Sequence, residues 1–193
     1  MLFDERLLRV ARTWGHSPGR DRAVERFSRL GERGAVWLAI GAAGYVVDGE
    51  RRGQWRGAIG TVAGVYALNT LIKLAVRRRR PQLPGLPPLT STPTQLSFPS
   101  AHASTSFAGA LVYTRLGLPA VPLYALAKGL GASRLYLGVH YPSDVLAGAL
   151  LGTASAALGV RVQRRQLSSK ATFMLPFYHG VEYQGQRDDS PRG

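Results

Sequence analysis

Apolar and polar positions divide this chain into a polar head, a row of apolar segments broken by charged or proline-rich joints, and a polar tail. In the head, residues 1–33, Phe3, Leu7, Val10 and Trp14 recur at helical spacing with Arg6, Arg9 and Arg12 between them. That periodicity predicts an amphipathic helix lying on a membrane or on the rest of the protein. A second short helix follows, with Glu25 and Arg29 placed to pair across one turn. A solvated helix is its simplest reading.

The first apolar segment, about 34–47, is short for a bilayer crossing but extendable by tilt and flanking residues. A charged turn over 48–56 separates it from the second, about 57–76, which has close to the ~20 residues a crossing needs. That segment runs into Arg77-Arg78-Arg79-Arg80-Pro81, and Pro81 cannot continue a regular helix. Residues 82–99 hold Pro84, Pro87, Pro88, Pro93 and Pro99 with leucines between them, which suggests a functional loop touching lipid or the mouth of a bundle. Ser100 is placed to cap a third helix reaching about 116; a fourth spans about 120–137 and a fifth about 143–160. The fifth is rich in Ala, Gly and Leu, the composition of close helix packing in membranes.

No internal repeat and no strand pattern is visible. The expected fold is therefore all-α: a multi-pass transmembrane bundle of about five membrane helices with an N-terminal amphipathic segment. The expected parts are 1–33, interfacial helices; 34–165, the membrane-embedded domain; and 166–193, a polar tail.

Charge sharpens this picture. The net charge is +14, and only Lys73, Lys128 and Lys170 among 25 basic residues are lysine. The basic residues gather at the ends of apolar stretches, as arginines flanking membrane spans do, and form no basic-aromatic stripe for nucleic acid. Charges throughout residues 1–14 argue against a signal peptide. Without cysteine there is no disulfide framework, thiolate metal site or Cys nucleophile.

Three polar clusters interrupt this apolar frame. The stretch 133–144 holds Arg134, His140 and Asp144 beside apolar segments, where ionisable groups are functional candidates. If it is helical, His140 and Asp144 share a face and the carboxylate can hold one imidazole nitrogen; a simple helix cap is the alternative. Lys73 and Arg80, two helical turns apart, can point one way, while Arg77, Arg78 and Arg79 read as a stop-transfer patch. Phe98-Pro99-Ser100-Ala101-His102 sets a hydroxyl, free backbone N–H groups and an imidazole at a helix start, which is an anion site or an ordinary cap. With three consecutive crossings, all three clusters emerge on one side. Their union suits phosphate chemistry: cations for the oxygens, one histidine to attack, one to protonate the leaving oxygen.

These segments resemble the three signature motifs of the type 2 phosphatidic acid phosphatase superfamily. Lys73 to Pro81 fits Lys-x6-Arg-Pro; Pro99 to His102 fits Pro-Ser-Gly-His; Ser133 to Asp144 fits Ser-Arg-x5-His-x3-Asp. Ala101 stands where the family most often has glycine, which keeps the N–H but adds a methyl. The resemblance implies an integral-membrane, metal-independent lipid phosphate phosphatase of the cell membrane, with no cofactor. It implies that His140 is the nucleophile forming a phosphohistidine, Asp144 its orienting carboxylate and His102 the general acid, later the base. It implies that Lys73, Arg80, Ser100, Ala101 and Arg134 bind the phosphoryl group. His16 and His179 lie outside the motifs and carry no assigned role.

The expected partners are a lipid phosphate substrate and membrane lipids, not nucleic acid, with the oligomeric state left open. The excess of Arg over Lys, with abundant Ala and Gly, suggests a GC-rich genome of actinobacterial type. That favours a polyprenyl-phosphoryl phosphoribose or polyprenyl (pyro)phosphate, with phosphatidate or phosphatidylglycerophosphate next. A vanadate-dependent haloperoxidase and a non-catalytic lipid-binding scaffold are the rival classes.

Overall fold

The protein is described here by a computed structural model covering residues 2–174, with side chains described for 3–162. Among the described residues there are seven α-helices and no strand beyond isolated bridges. Two helices form the head, α1 (Leu2–Thr13) and α2 (Pro18–Arg29). Ser17 caps α2 by accepting from the Arg20 N–H at 3.4 Å, and Pro18 pre-sets its first turn. Left-handed backbone at Arg33 and Gly34 then swings the chain into α3 (Ala35–Val47).

The charged joint is shorter than expected. Asp48 accepts from the Arg51 N–H and from Trp55 Nε1, closing a single turn of 3-10 helix, so α4 begins at Arg52. It ends at Val76, because Arg77 takes the left-handed conformation that stops a helix. The stop therefore falls four residues before Arg80, and the expectation that Lys73 and Arg80 share a helical face is corrected. Residues beyond Arg77 are extended, held to the end of the proline-rich loop by Arg80 N–H to Gln95 O (3.0 Å) and Ser97 N–H to Arg78 O (2.8 Å).

Helix α5 (Ala101–Arg115) is the central post, with ten buried residues, most of them small. Small side chains let neighbours come close. Trp37 of α3 covers Gly109 and donates from Nε1 to Ser106 Oγ at 2.9 Å, while Tyr113 OH donates to Trp37 O at 2.7 Å. Asn69 of α4 donates to Ser104 Oγ at 2.7 Å. α6 (Ala120–Tyr136) packs on a second side. α7 (Pro142–Met174) brings Gly148 and Gly152 against the backbone of Ser100 and Ser104.

The outward faces carry the large apolar side chains: Leu71 and Leu74 of α4, Val121 of α6, Leu146 and Leu150 of α7. The inward face of α5 carries buried Ser104, Thr105 and Ser106. Among the described residues two helical stretches, Gly49–Val76 and Pro142–Val162, are long and apolar enough to cross a membrane.

The head is docked, not merely solvated. Leu8 of α1 is buried beside Leu83 and Tyr141, and Arg12 reaches Pro87 O (2.7 Å) and Tyr136 O (3.2 Å). The predicted stripe faces away from the protein, with Phe3 74% and Trp14 84% exposed. In α2, Phe27 lies against Gly129 of α6, and the Glu25–Arg29 pair forms at 3.0 Å. The described residues up to Val160 make one compact unit, and beyond it the last part of α7, to Met174, is described. His179 and most of the expected tail lie outside the described residues.

Candidate active site

The turn between α6 and α7 is made by Gly138, whose φ of +75° is left-handed. It delivers His140 just before α7 and leaves Asp144 in the first turn of that helix. His140 is therefore not helical, and the pair meets because the turn folds back rather than by sharing a helix face. Its Nδ1 lies 3.5 Å from Asp144 Oδ2, and both side chains are buried. Asp144 is fixed from other directions: its Oδ2 accepts from the Tyr141 N–H at 2.9 Å and its Oδ1 from Arg78 Nη1 at 2.8 Å.

On the other edge of the imidazole, Arg80 Nη1 is 3.2 Å from His140 Nε2. A guanidinium only donates, so Nε2 is the accepting, lone-pair nitrogen and the proton sits on Nδ1, toward Asp144. Burial, then the charges of Arg80, Arg134 and Lys73, push the His140 pKa well below its ordinary value. Both causes favour the neutral imidazole, whose Nε2 lone pair is turned to Arg80. Arg80 is itself aimed by bonds to Thr94 O (2.8 Å) and Val139 O (2.6 Å).

The second histidine approaches from α5. His102 Nε2 lies 3.0 Å from Ser28 O; a carbonyl only accepts, so Nε2 carries a proton and Nδ1 is left for chemistry. Ser28 also gathers the third cation, since its Oγ accepts from Arg134 Nη1 at 2.7 Å and from Ser133 Oγ at 3.0 Å. Gly31 closes over His102 with room only for hydrogen: a Cβ there would come within 2.6 Å of His102 Cδ2.

Ser100 occupies the N-cap position of α5 but makes no capping bond; its N–H donates to Asp144 O at 2.9 Å, tying the two helix starts together. Ala101 opens α5, whose first-turn N–H groups are free by geometry. Lys73 reaches the same place but spends all three protons on Leu96 O, Ser97 O and Pro99 O at 3.0–3.2 Å. It clamps the loop beneath Ser100 and adds positive charge there, rather than offering a free ammonium donor.

Three groups escaped the sequence reading. Arg78, read as part of a stop-transfer patch, binds Asp144, Ser143 Oγ (2.7 Å) and Asp4 Oδ2 (2.9 Å), and lies over the Tyr141 ring at 4.1 Å. Alternation along the extended segment, which places Arg78 opposite Arg77 and Arg79, was the signal for it. Asp4 of α1 accepts from the Ser143 N–H at 3.0 Å. Burial alone would raise its carboxyl, but hydrogen bonds from Ser143 and Arg78 outweigh that and hold its pKa down. Ser28 sits in a helix read as solvated, and nothing local distinguishes it.

Six buried side-chain nitrogen or oxygen atoms lack a hydrogen-bond partner among the described residues, and three of them are Ser100 Oγ, Arg134 Nε and His140 Nδ1. An orphaned buried polar atom costs about 1–3 kcal/mol. All three belong to residues singled out by the sequence motifs: Ser100 Oγ and Arg134 Nε have unspent donors, while His140 Nδ1 faces Asp144 Oδ2 at 3.5 Å.

The family model described as the PAP2 superfamily matches residues 55–168. The decaprenylphosphoryl-5-phosphoribose phosphatase of Mycobacterium tuberculosis H37Rv is 40% identical over 142 residues, 73% of this chain and 79% of that protein. The protein of the same name from Mycolicibacterium smegmatis is 40% identical over 147 residues, covering 75% and 80% respectively. The crystal structure of Aquifex aeolicus LpxE superposes with a TM-score of 0.68 at 24% identity, over 81% of this chain and 93% of that one.

Proposed function

The chain belongs to the PAP2 superfamily and is a lipid phosphatase, and from that premise we propose that it removes a terminal phosphate from a polyprenyl-linked phosphate. A polyprenyl-phosphoryl phosphoribose is the favoured substrate, supported by the two 40%-identical relatives that bear that name. The lone-pair nitrogen of His140, turned to Arg80 with Asp144 behind the other nitrogen, is the observation that carries the chemistry.

His140 Nε2 attacks phosphorus, and the bond from phosphorus to the leaving alcohol oxygen breaks with its electron pair going to that oxygen. His102 acts from its imidazolium form: its Nε2–H stays on Ser28 O, and its Nδ1 proton goes to the leaving oxygen, which leaves His102 neutral with a lone pair on Nδ1. Arg80 and Arg134, with the Ser100 hydroxyl and the Ala101 and His102 amides, hold the phosphoryl oxygens, and Lys73 adds its charge. Asp144 keeps the proton on Nδ1 and offsets the charge that develops on the imidazole. Water then attacks the phosphohistidine, giving a proton to His102 Nδ1, and the P–N bond breaks to release phosphate.

The protein acts as a multi-pass membrane protein, with α3 to α7 as five crossings. Outward leucines over a polar interior support this, as do the two helices of spanning length. The shorter α3, α5 and α6, with 13, 15 and 17 residues, cross with the help of flanking residues and local thinning. α1 lies on the membrane surface by its exposed Phe3, Val10 and Trp14. Residues 1–33 are interfacial, 34–165 catalytic and 166–193 a tail.

Phosphate release by the purified full chain from a panel of lipid phosphates, with and without His140→Ala, tests this reading. The polyprenyl-linked compounds are expected to turn over fastest, an acid-labile phosphoenzyme to accumulate on wild type alone, and release to vanish in the variant. Release that survives the substitution would remove His140 from the mechanism.

A further inference from the structure

Beside the catalytic groups lies an open cleft of about 1310 Å³, and none of the residues lining it is a carboxylate. Arg80 and Val139 line it, and these are the residues that touch or precede His140, so the cleft adjoins the nucleophile. Arg77 and Arg79 line it too. While Arg78 turns inward to Asp144, the side chains of Arg77 and Arg79 have no hydrogen-bond or ion-pair partner among the described residues.

Gln82, Ser91 and Gln95 line it too, and their side chains likewise make no hydrogen bond among the described residues, whereas the hydroxyls of Thr90 and Thr92, also in the lining, are spent on Glu25 Oε1 and Thr94 O. Two guanidiniums, two carboxamides and a hydroxyl thus face one space with their bonding capacity unspent. A simple diacyl or prenyl tail next to a single phosphate would leave all of them unmatched. Guanidiniums match phosphate oxygens, and carboxamides and hydroxyls match sugar hydroxyls.

We infer that this cleft is a headgroup subsite, in which Arg77 and Arg79 hold a second phosphate that the enzyme does not cleave and Gln82, Ser91 and Gln95 hold the sugar between the two phosphates. The inference rests on the lipid phosphatase reading above and narrows its substrate to lipids carrying two phosphates across a sugar. Membrane lipid headgroups offer the same anionic chemistry, so the experiment must separate the two sources.

The full chain in neutral detergent micelles is compared with its Arg77→Gln and Arg79→Gln variants, both at exposed positions, on two substrates of equal prenyl length. One is a prenyl-phosphoryl ribose 5-phosphate and the other a prenyl monophosphate. The ratio of kcat/KM between them is expected to fall on the order of tenfold per arginine, mainly through KM of the diphosphorylated lipid. The same fall is expected in phosphatidylcholine vesicles with or without phosphatidylglycerol. An unchanged ratio, or equal losses on both substrates, overturns the subsite. A loss confined to anionic vesicles assigns the arginines to the membrane surface and overturns it as well. Wild type that releases phosphate from neither lipid overturns the phosphatase reading itself, an outcome separate from any change in ratio.

Discussion

Arg78 donates to Asp144 Oδ1 at 2.8 Å with one terminal nitrogen while the other donates to Asp4 Oδ2 at 2.9 Å, so α1 is linked to the carboxylate behind the nucleophile through a single guanidinium. Ser143, next to Asp144, closes the ring by donating its N–H to Asp4.

Removing that guanidinium leaves a buried carboxylate with one fewer charge-assisted bond, worth about 1.5–3 kcal/mol. Arg78→Ala should therefore lower kcat on the order of tenfold to a hundredfold, with a smaller change in KM because Arg78 does not face the phosphoryl position. Asp4→Asn keeps the shape and removes the charge, and should lower kcat less. Steady-state kinetics on one lipid phosphate checks both; a loss carried wholly by KM would make Arg78 a substrate ligand.

Ser28 and Gly31 separate the two halves of the His102–Arg134 corner. Ser28→Ala removes the oxygen that accepts from Arg134 but leaves the carbonyl that accepts from His102. Its effect, roughly tenfold for one charge-assisted bond, should fall mainly on KM. Gly31→Ala adds a methyl against His102 Cδ2 where backbone φ is −87°, so the strain is steric and local. It should fall mainly on kcat. Matching kinetic patterns for the two variants would show that Ser28 does not act through Arg134.

His140 also predicts a pH dependence of stability. Its folded pKa is depressed by burial and then by Arg80, Arg134 and Lys73, while an unfolded imidazole titrates near about 6.5. Below that value the unfolded chain binds a proton that the folded protein refuses. The contribution is fully present above about pH 6.5 and is lost as pH falls toward the folded pKa, by up to about 1.4 kcal/mol per pH unit. Thermal unfolding in detergent from pH 7.5 to 5 should show a falling Tm in wild type and a shallower slope in His140→Asn. Equal slopes would place the acid sensitivity elsewhere.

That the groups proposed as catalytic lie close together was legible because each motif is local. Offsets such as four residues from His140 to Asp144 survive whatever the backbone does between them, even though the two meet across a turn and not on a helix. The apolar segment's end at about 76 matches the end of α4, but that the helix stops there and does not carry on to Arg80 was not legible, since a left-handed Arg77 is a non-glycine choice fixed by the tertiary pairing of the residues after it. Nor were Asp4 and Ser28, whose contacts span 74 to 139 residues. An acid in the first turn of a helix reads as a dipole partner, and a serine near its end reads as solvated. The stripe of Phe3, Val10 and Trp14 was correct as a periodicity, but it is the face turned away from the protein, because Leu8 and Arg12 take the inner side.

The small residues of α7 give a prediction about stability alone. At Gly152 an added Cβ would overlap the Ser104 carbonyl, which is helix backbone and cannot swing aside. Gly64, on the outer face of α4, has nothing within 4 Å of an added Cβ. Gly152→Ala must push α7 from α5, an overpacking that costs about 1–3 kcal/mol. For a chain of this size that is a Tm lower by roughly 2–12 °C. Gly64→Ala gains helix propensity, roughly 0.5–1 kcal/mol, and should raise Tm slightly. Because Gly152 lies one turn beyond Gly148, which packs on the Ser100 backbone, the displacement should also loosen the start of α5 and cost activity before the protein unfolds. Gly152→Ala with wild-type Tm and wild-type kcat would mean that α5 and α7 do not approach as closely as the glycines allow.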